Sequence, residues 1–96
     1  MRVGYVRCST AEQNEARQLK MMEEQKVEKV FIDKASGKNI ERESFKAMMA
    51  FIREGDTVIV ESISRIARNT RDLLAIVATL TETGVEFVSL KESIDT

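Results

Sequence analysis

Ser9 stands in the run Tyr5-Val6-Arg7-Cys8-Ser9-Thr10, two positions after an arginine. Far downstream, Ser62-Ile63-Ser64-Arg65-Ile66-Ala67-Arg68-Asn69 brings two more arginines. Ile32-Asp33-Lys34-Ala35-Ser36-Gly37 lies between them, with Arg42 just beyond. A hydroxyl beside several guanidiniums points to nucleophilic attack on phosphorus. Arginines fork onto phosphate oxygens through charge-assisted hydrogen bonds, and the hydroxyl supplies the attacking oxygen. Taken alone, Ser9 reads more readily as a neighbour of a helix cap than as a nucleophile. The arginine set is what gives it chemistry.

Other chemistries fail on composition. With no histidine and one cysteine, the chain can build neither a Cys/His zinc site nor a Ser-His-Asp triad by itself. The acidic residues show no clustered ligand pattern for a carboxylate metal site. A phosphatase-type loop around Cys8 would need an arginine six positions on, where Asn14 stands. A receiver domain would need paired acidic residues after the first strand, where Arg7 and Cys8 stand. Cys8 therefore reads as a small buried filler, and Tyr5 as core.

Positioning these residues requires an alternating α/β chain. Arg2 to Arg7 reads as a strand, apolar on both sides as in a buried parallel sheet. Thr10 and Gln13 have capping-box spacing, and Ala16, Leu19 and Met22 then recur at helical intervals up to about Lys26. Val30-Phe31-Ile32 is a second strand, followed by a loop over 35–39. Phe45, Met48, Met49 and Ile52 mark an amphipathic helix that Gly55-Asp56 ends. Thr57 to Val60 is a third strand. A short basic segment then leads to a helix carrying Leu73, Ile76, Val77 and Leu80 on one face, with Gly84 as its stop. Arg71 reads as a solvated residue of that helix, paired with a neighbouring carboxylate. Val85 to Leu90 is a fourth strand.

The order predicts an α/β fold, a three-layer α/β/α sandwich with a mostly parallel sheet of four or five strands. The strand order expected for it is 2-1-3-4(-5), which makes the first and third strands neighbours. In such sheets ligands bind beyond the carboxyl ends of strands, where the order reverses. The loops after the first and third strands then open into one crevice, although Ser9 and Arg65 are over fifty positions apart. A helix starting at Thr10 would aim its free N–H groups there as well. Arg65 and Arg68, three apart, would share a face of a helical turn, with Glu61 and Asp72 the only evident neutralising neighbours.

Bulk properties bound the rest. The 96 residues make one domain, residues 1–96. An apolar share of 43% and a charged share of 32% fit a globular chain with no transmembrane stretch. The start carries no secretory signal, and one cysteine fits a reducing compartment, so a cytoplasmic setting is expected. Net charge is −1, from 15 basic and 16 acidic residues, so the chain is no autonomous DNA binder by charge alone.

The three motifs, in this order and across essentially the whole chain, resemble the N-terminal catalytic domain of the serine recombinases, the resolvase and invertase group. That resemblance implies a resolvase-like fold and cutting of both DNA strands at a crossover site, with each broken end joined through a 5′-phosphoserine before exchange and religation. It implies Ser9 as nucleophile and Arg7, Arg42, Arg65 and Arg68 as phosphate-activating arginines. In supporting places it sets Tyr5 under the active-site loop, Gln13 and Gln18 near the site, and Asp33 in the loop after the second strand. No cofactor or metal is implied, because the phosphoserine keeps the bond energy. The partners implied are DNA and, in a full-length protein, a homodimer and a synaptic homotetramer, with no membrane.

Two features depart from the family pattern. Many members have aspartate immediately before the first downstream arginine, where Ser64 stands here, and many have lysine near Glu61 or Ser62. The general base is left open among an arginine, Asp33 and solvent, and Ser62 and Ser64 are expected to alter the hydrogen bonds that orient Arg65. The family also continues with a dimerising helix and a DNA-binding domain, so the 96 residues read as a catalytic core, inactive and monomeric alone. The alternative to the enzyme is a recombinase-derived regulatory or assembly module. A domain binding a phosphorylated ligand is disfavoured by the lack of a Gly-rich phosphate loop.

Overall fold

The computed structural model describes residues 1–9, 14–35 and 42–95, with the backbone only for Ser9, Asn14, Ala35, Ile94 and Asp95. In chain order the elements are β1 (Arg2–Ser9), α1 (Asn14–Glu24), β2 (Lys29–Ala35), α2 (Glu43–Phe51), β3 (Thr57–Val60), a single 3₁₀ turn (Ile63–Arg65), α3 (Thr70–Thr83), β4 (Glu86–Ser89) and β5 (Ile94–Asp95). The sheet runs β2-β1-β3-β4-β5. All pairs are parallel except β4 with β5. This is the expected order, with the short antiparallel β5 at one edge.

Residues alternate between two faces along each strand. Val3, Tyr5, Val58, Val60 and Phe87 join the larger core with Met48, Ile52, Ile76 and Leu80, so α2 and α3 cover that face. Val6 and Ile59 meet Met22 of α1 on the other. Gly4 lets α1 approach: a Cβ there would lie 2.8 Å from Met22 Sδ.

Helices α2 and α3 bury the stripes that their spacing predicts. In α1 the stripe is displaced. Ala16 is exposed, whereas Gln18 and Met22 are buried. A glutamine can take a core position when its amide finds a partner, and Gln18 Nε2 donates to Arg7 O at 3.2 Å. Thr10 and Gln13, with the capping box expected there, lie outside the described residues.

Both strands flanking the crevice are longer than their apolar runs suggest. β1 extends through Arg7 and Cys8 to Ser9, and β2 extends with it, pairing Arg7 with Asp33 and Ser9 with Ala35. Ser9 therefore ends a strand instead of sitting in a loop, and Asp33 lies within β2 instead of after it. The ladder between β1 and β3 stops at Tyr5 and Val60. Beyond that pair, β1 overhangs its neighbour.

Gly84 closes α3 in the left-handed conformation, φ 81°. Its N–H donates to Thr81 O at 3.1 Å and the Val85 N–H donates to Leu80 O at 2.8 Å, a Schellman closure. A Cβ at this position would also stand 2.7 Å from Glu54 Cγ. Gly84→Ala is expected to cost roughly 1–2 kcal/mol, because an L side chain is disfavoured in this conformation. Urea titration should show a lower midpoint with an unchanged slope.

Candidate active site

The overhang of β1 meets the segment that leaves β3. Arg7 sends Nη2 to the carbonyl of Ser64 in the 3₁₀ turn. Arg65, at the end of that turn, returns Nη1 to the Arg7 carbonyl at 3.2 Å. The same carbonyl accepts from Gln18. Where strand pairing has stopped, side chains hold the open edge of β1 to the loop, and each uses a backbone group that would otherwise lack a ladder partner.

Arg42 reaches this cluster from the start of α2. Its Nη2 donates to Ile66 O, and its guanidinium carbon lies 4.0 Å from the Phe45 ring centroid and 5.6 Å from that of Tyr5. Arg68 is exposed in the bend before α3, and its backbone N–H donates to Asp72 Oδ2 at 3.2 Å. Arg65 and Arg68 thus do not share a helical face: the 3₁₀ turn ends at Arg65, and α3 starts only at Thr70. Asn69 caps α3 by accepting the Asp72 N–H at 2.8 Å, which fixes where that helix begins.

Positive charge exceeds its counterions here. Glu61 pairs with Arg17 at 3.1 Å, away from the cluster. Asp72 approaches Arg42 no closer than 3.9 Å. Arg7, half-buried, is held below the ordinary arginine pKa first by burial and then by repulsion from Arg42, with Arg65 and Arg68 adding to it. Guanidiniums keep their charge in proteins, so a cluster of them with few counterions is arranged to receive an anion. Arg71 is exposed on α3 and makes no ion pair among the described residues. Arg42, Arg68 and Arg71 line an open hollow of about 530 Å³ with Asn69, Asp72 and Ala75.

Asp33 serves the frame. It is 7% exposed. Its carboxylate accepts the Tyr5 hydroxyl at 2.8 Å and the Ser44 and Phe45 N–H groups, both at 2.9 Å. Those three bonds engage both carboxylate oxygens with the frame of β1 and the first turn of α2. It also supplies the cap that Arg42, at the N-cap position of α2, does not make with its own side chain. Tyr5 is fully buried under the cluster, and Cys8 is buried, as read from the sequence. At Ser64 the hydroxyl pairs with Ser62 Oγ at 2.9 Å, and Arg65 is oriented by the Arg7 carbonyl instead. Phe45, which apolar spacing assigns to the core, also lies against Arg42, three residues before it and one turn back at the helix start.

The described residues contain no group of three His, Cys, Asp or Glu side chains placed for a metal, and no helix among them is long and apolar enough to cross a membrane. The family model described as Resolvase, N terminal domain, matches residues 2–96. The chain is 50% identical over 93 residues to the Transposon Tn501 resolvase of Pseudomonas aeruginosa, covering 97% of this chain and 48% of that protein. It is 44% identical over 96 residues to the DNA-invertase of Escherichia phage P1, covering 100% of this chain and 52% of the relative. A solved structure, a resolvase family site-specific recombinase from Streptococcus pneumoniae, superposes with a TM-score of 0.71 at 24% identity, over 100% of this chain and 76% of that one. That last likeness is one of fold. The chain spans about half the length of the curated relatives it matches.

Tyr5 is the only tyrosine and there is no tryptophan, so tyrosinate absorbance reports this one group. Burial, reinforced by the Asp33 acceptor and opposed by Arg42, raises its pKa from 10.0 to about 12. An unfolded tyrosine loses its proton first, so between pH 10 and 12 the folded chain binds more protons and stability falls as pH rises. The expected loss is roughly 2–3 kcal/mol, complete above the folded pKa and absent below the unfolded one. Ultraviolet titration should give a midpoint near 12 in the native chain and near 10 in denaturant. A native midpoint near 10 would contradict the buried Tyr5–Asp33 bond.

Proposed function

Since this chain belongs to the resolvase N-terminal domain family of the serine recombinases, we propose that it is the part of a site-specific recombinase that cuts and rejoins DNA, with Ser9 as nucleophile. The observation that carries this reading is the gathering of Arg7, Arg42, Arg65 and Arg68 around the overhanging end of β1, with more positive charge than nearby carboxylates neutralise. Ser9 is the last residue of that strand.

In the proposed reaction the Ser9 oxygen bonds to phosphorus and the bond from phosphorus to the 3′ oxygen breaks. Serine gives up one proton and the departing 3′ oxygen gains one, so charge balances without redox chemistry. Religation is the same step reversed, with the 3′-hydroxyl attacking the 5′-phosphoserine. The arginines bind the non-bridging oxygens and meet the charge that grows on them in the transition state. Because Arg7 and Arg65 are already fixed to backbone carbonyls, little reorganisation accompanies that step. DNA is thus the proposed substrate, and the family resemblance adds assembly of dimers and synaptic tetramers by the full-length protein.

In the full-length recombinase, Ser9→Ala should abolish covalent protein–DNA adducts on a nicked crossover substrate while leaving site binding nearly intact. Persisting adducts would place the nucleophile elsewhere. Arg65→Ala and Arg68→Ala should each lower the cleavage rate by ~10²–10³ with a much smaller loss of affinity. Equal losses of rate and binding would reduce these arginines to uniform phosphate contacts.

A further inference from the structure

Arg42 differs from the other arginines of the crevice in how it is held. Its side chain is only 11% exposed, yet its Nε is buried without a hydrogen-bond partner among the described residues. One Nη donates to Ile66 O, and the other lies 3.9 Å from Asp72, a long separation for an ion pair. Those contacts tether the end of the group, and two ring faces flank it: the guanidinium carbon lies 4.0 Å from the Phe45 centroid and 5.6 Å from that of Tyr5. A cation is attracted to the electron-rich face of an aromatic ring, and a guanidinium stacks on it as a flat group.

Phe45 is itself tied down. Its backbone N–H donates to Asp33 Oδ2, and its ring meets Tyr5 edge to face, with centroids 5.5 Å apart and planes at 72°. Tyr5 donates its hydroxyl to the same Asp33 oxygen. One buried carboxylate therefore anchors the Tyr5 hydroxyl and the Phe45 backbone, and the two rings lie beside Arg42. We propose that Phe45 is a positioning residue, whose ring face holds the Arg42 guanidinium in the orientation in which it meets the phosphate that is cut. This rests on the proposed function for its consequence, but not for its geometry.

The geometry is tested on the 96-residue chain without DNA. The Arg42 Nε–H resonance should be shifted upfield by the Phe45 ring current. Phe45→Leu, which keeps apolar bulk and removes the ring, should abolish that shift, and Phe45→Tyr should retain it. A resonance at the same position in the parent and in Phe45→Leu would overturn the inference. The consequence is tested in the full-length protein by single-turnover cleavage. Phe45→Leu should slow cleavage roughly 5- to 30-fold, the range expected for a desolvated cation–π contact, with DNA affinity and folded fraction unchanged, and Phe45→Tyr should restore the rate. Cleavage by Phe45→Leu at the parent rate, or failure of Phe45→Tyr to restore it, would overturn the positioning role. If Phe45→Leu does not fold, Phe45→Met, which also lacks a ring, takes its place in both measurements. Adducts formed by Ser9→Ala would instead sink the proposed nucleophile and leave the Arg42 resonance where it is, so the two failures are told apart.

Discussion

A carboxylate buried between β1, β2 and α2 holds the working end of this domain together. Asp33 takes the Tyr5 hydroxyl from the neighbouring strand and two backbone N–H groups from the first turn of α2. A buried charge is costly unless its oxygens are satisfied, and here three donors and the positive end of a helix dipole do so. The arrangement decides where α2 begins, and so where Arg42 enters the crevice. It also locks two aromatic rings under that arginine. Replacing Asp33 by an apolar residue would leave buried donors without acceptors and would loosen the helix start in the same stroke.

The second constraint is the unequal length of the strands. β1 and β2 run on together to Ser9 and Ala35, while β3 leaves the sheet at Val60. Past that point β1 has a free edge, and the chain leaving β3 folds into a 3₁₀ turn beside it. Arginine side chains bridge the gap, Arg7 to the Ser64 carbonyl and Arg65 to the Arg7 carbonyl. The groups proposed to bind phosphate are therefore the same ones that close the structure locally. Preorganisation follows from this double use: the guanidiniums already stand in place, and their mutual repulsion is relieved when an anion arrives.

The bulk near-neutrality of the chain is compatible with this local excess. Acidic residues are spent elsewhere: Glu61 on Arg17, Glu15 on Lys34, Asp56 on the amino terminus. Segregating the pairs leaves the crevice basic without making the domain basic. Screening at physiological salt confines the attraction to distances of about 8 Å, so in the proposed function such a cluster acts on a phosphate at contact and steers little from afar.

Much of this was legible in the residues. Apolar spacing marked α2 and α3, because burial of one helix face imposes a period that survives in a local window, and short apolar runs marked the four parallel strands, which are buried on both faces. Gly84 marked the end of α3, since glycine enters the left-handed conformation at little cost. The alternation of elements implied a mostly parallel sheet with helices on both faces, and the types and sequence of Ser9, Arg7, Arg42, Arg65 and Arg68 implied phosphate chemistry. Tertiary structure alone decided the rest. Gln18 replaced Ala16 in the buried stripe because a carbonyl from β1 happened to meet it. Ser9 and Asp33 became strand residues because β1 and β2 extend each other, a pairing that no local window contains. Arg65 and Arg68 separated because the Asn69 cap delays α3. Phe45 turned from core filler into a platform because a second element delivered a cation to its face. Periodicity is written locally, whereas the partner of a polar group is set by whichever distant segment the fold brings beside it.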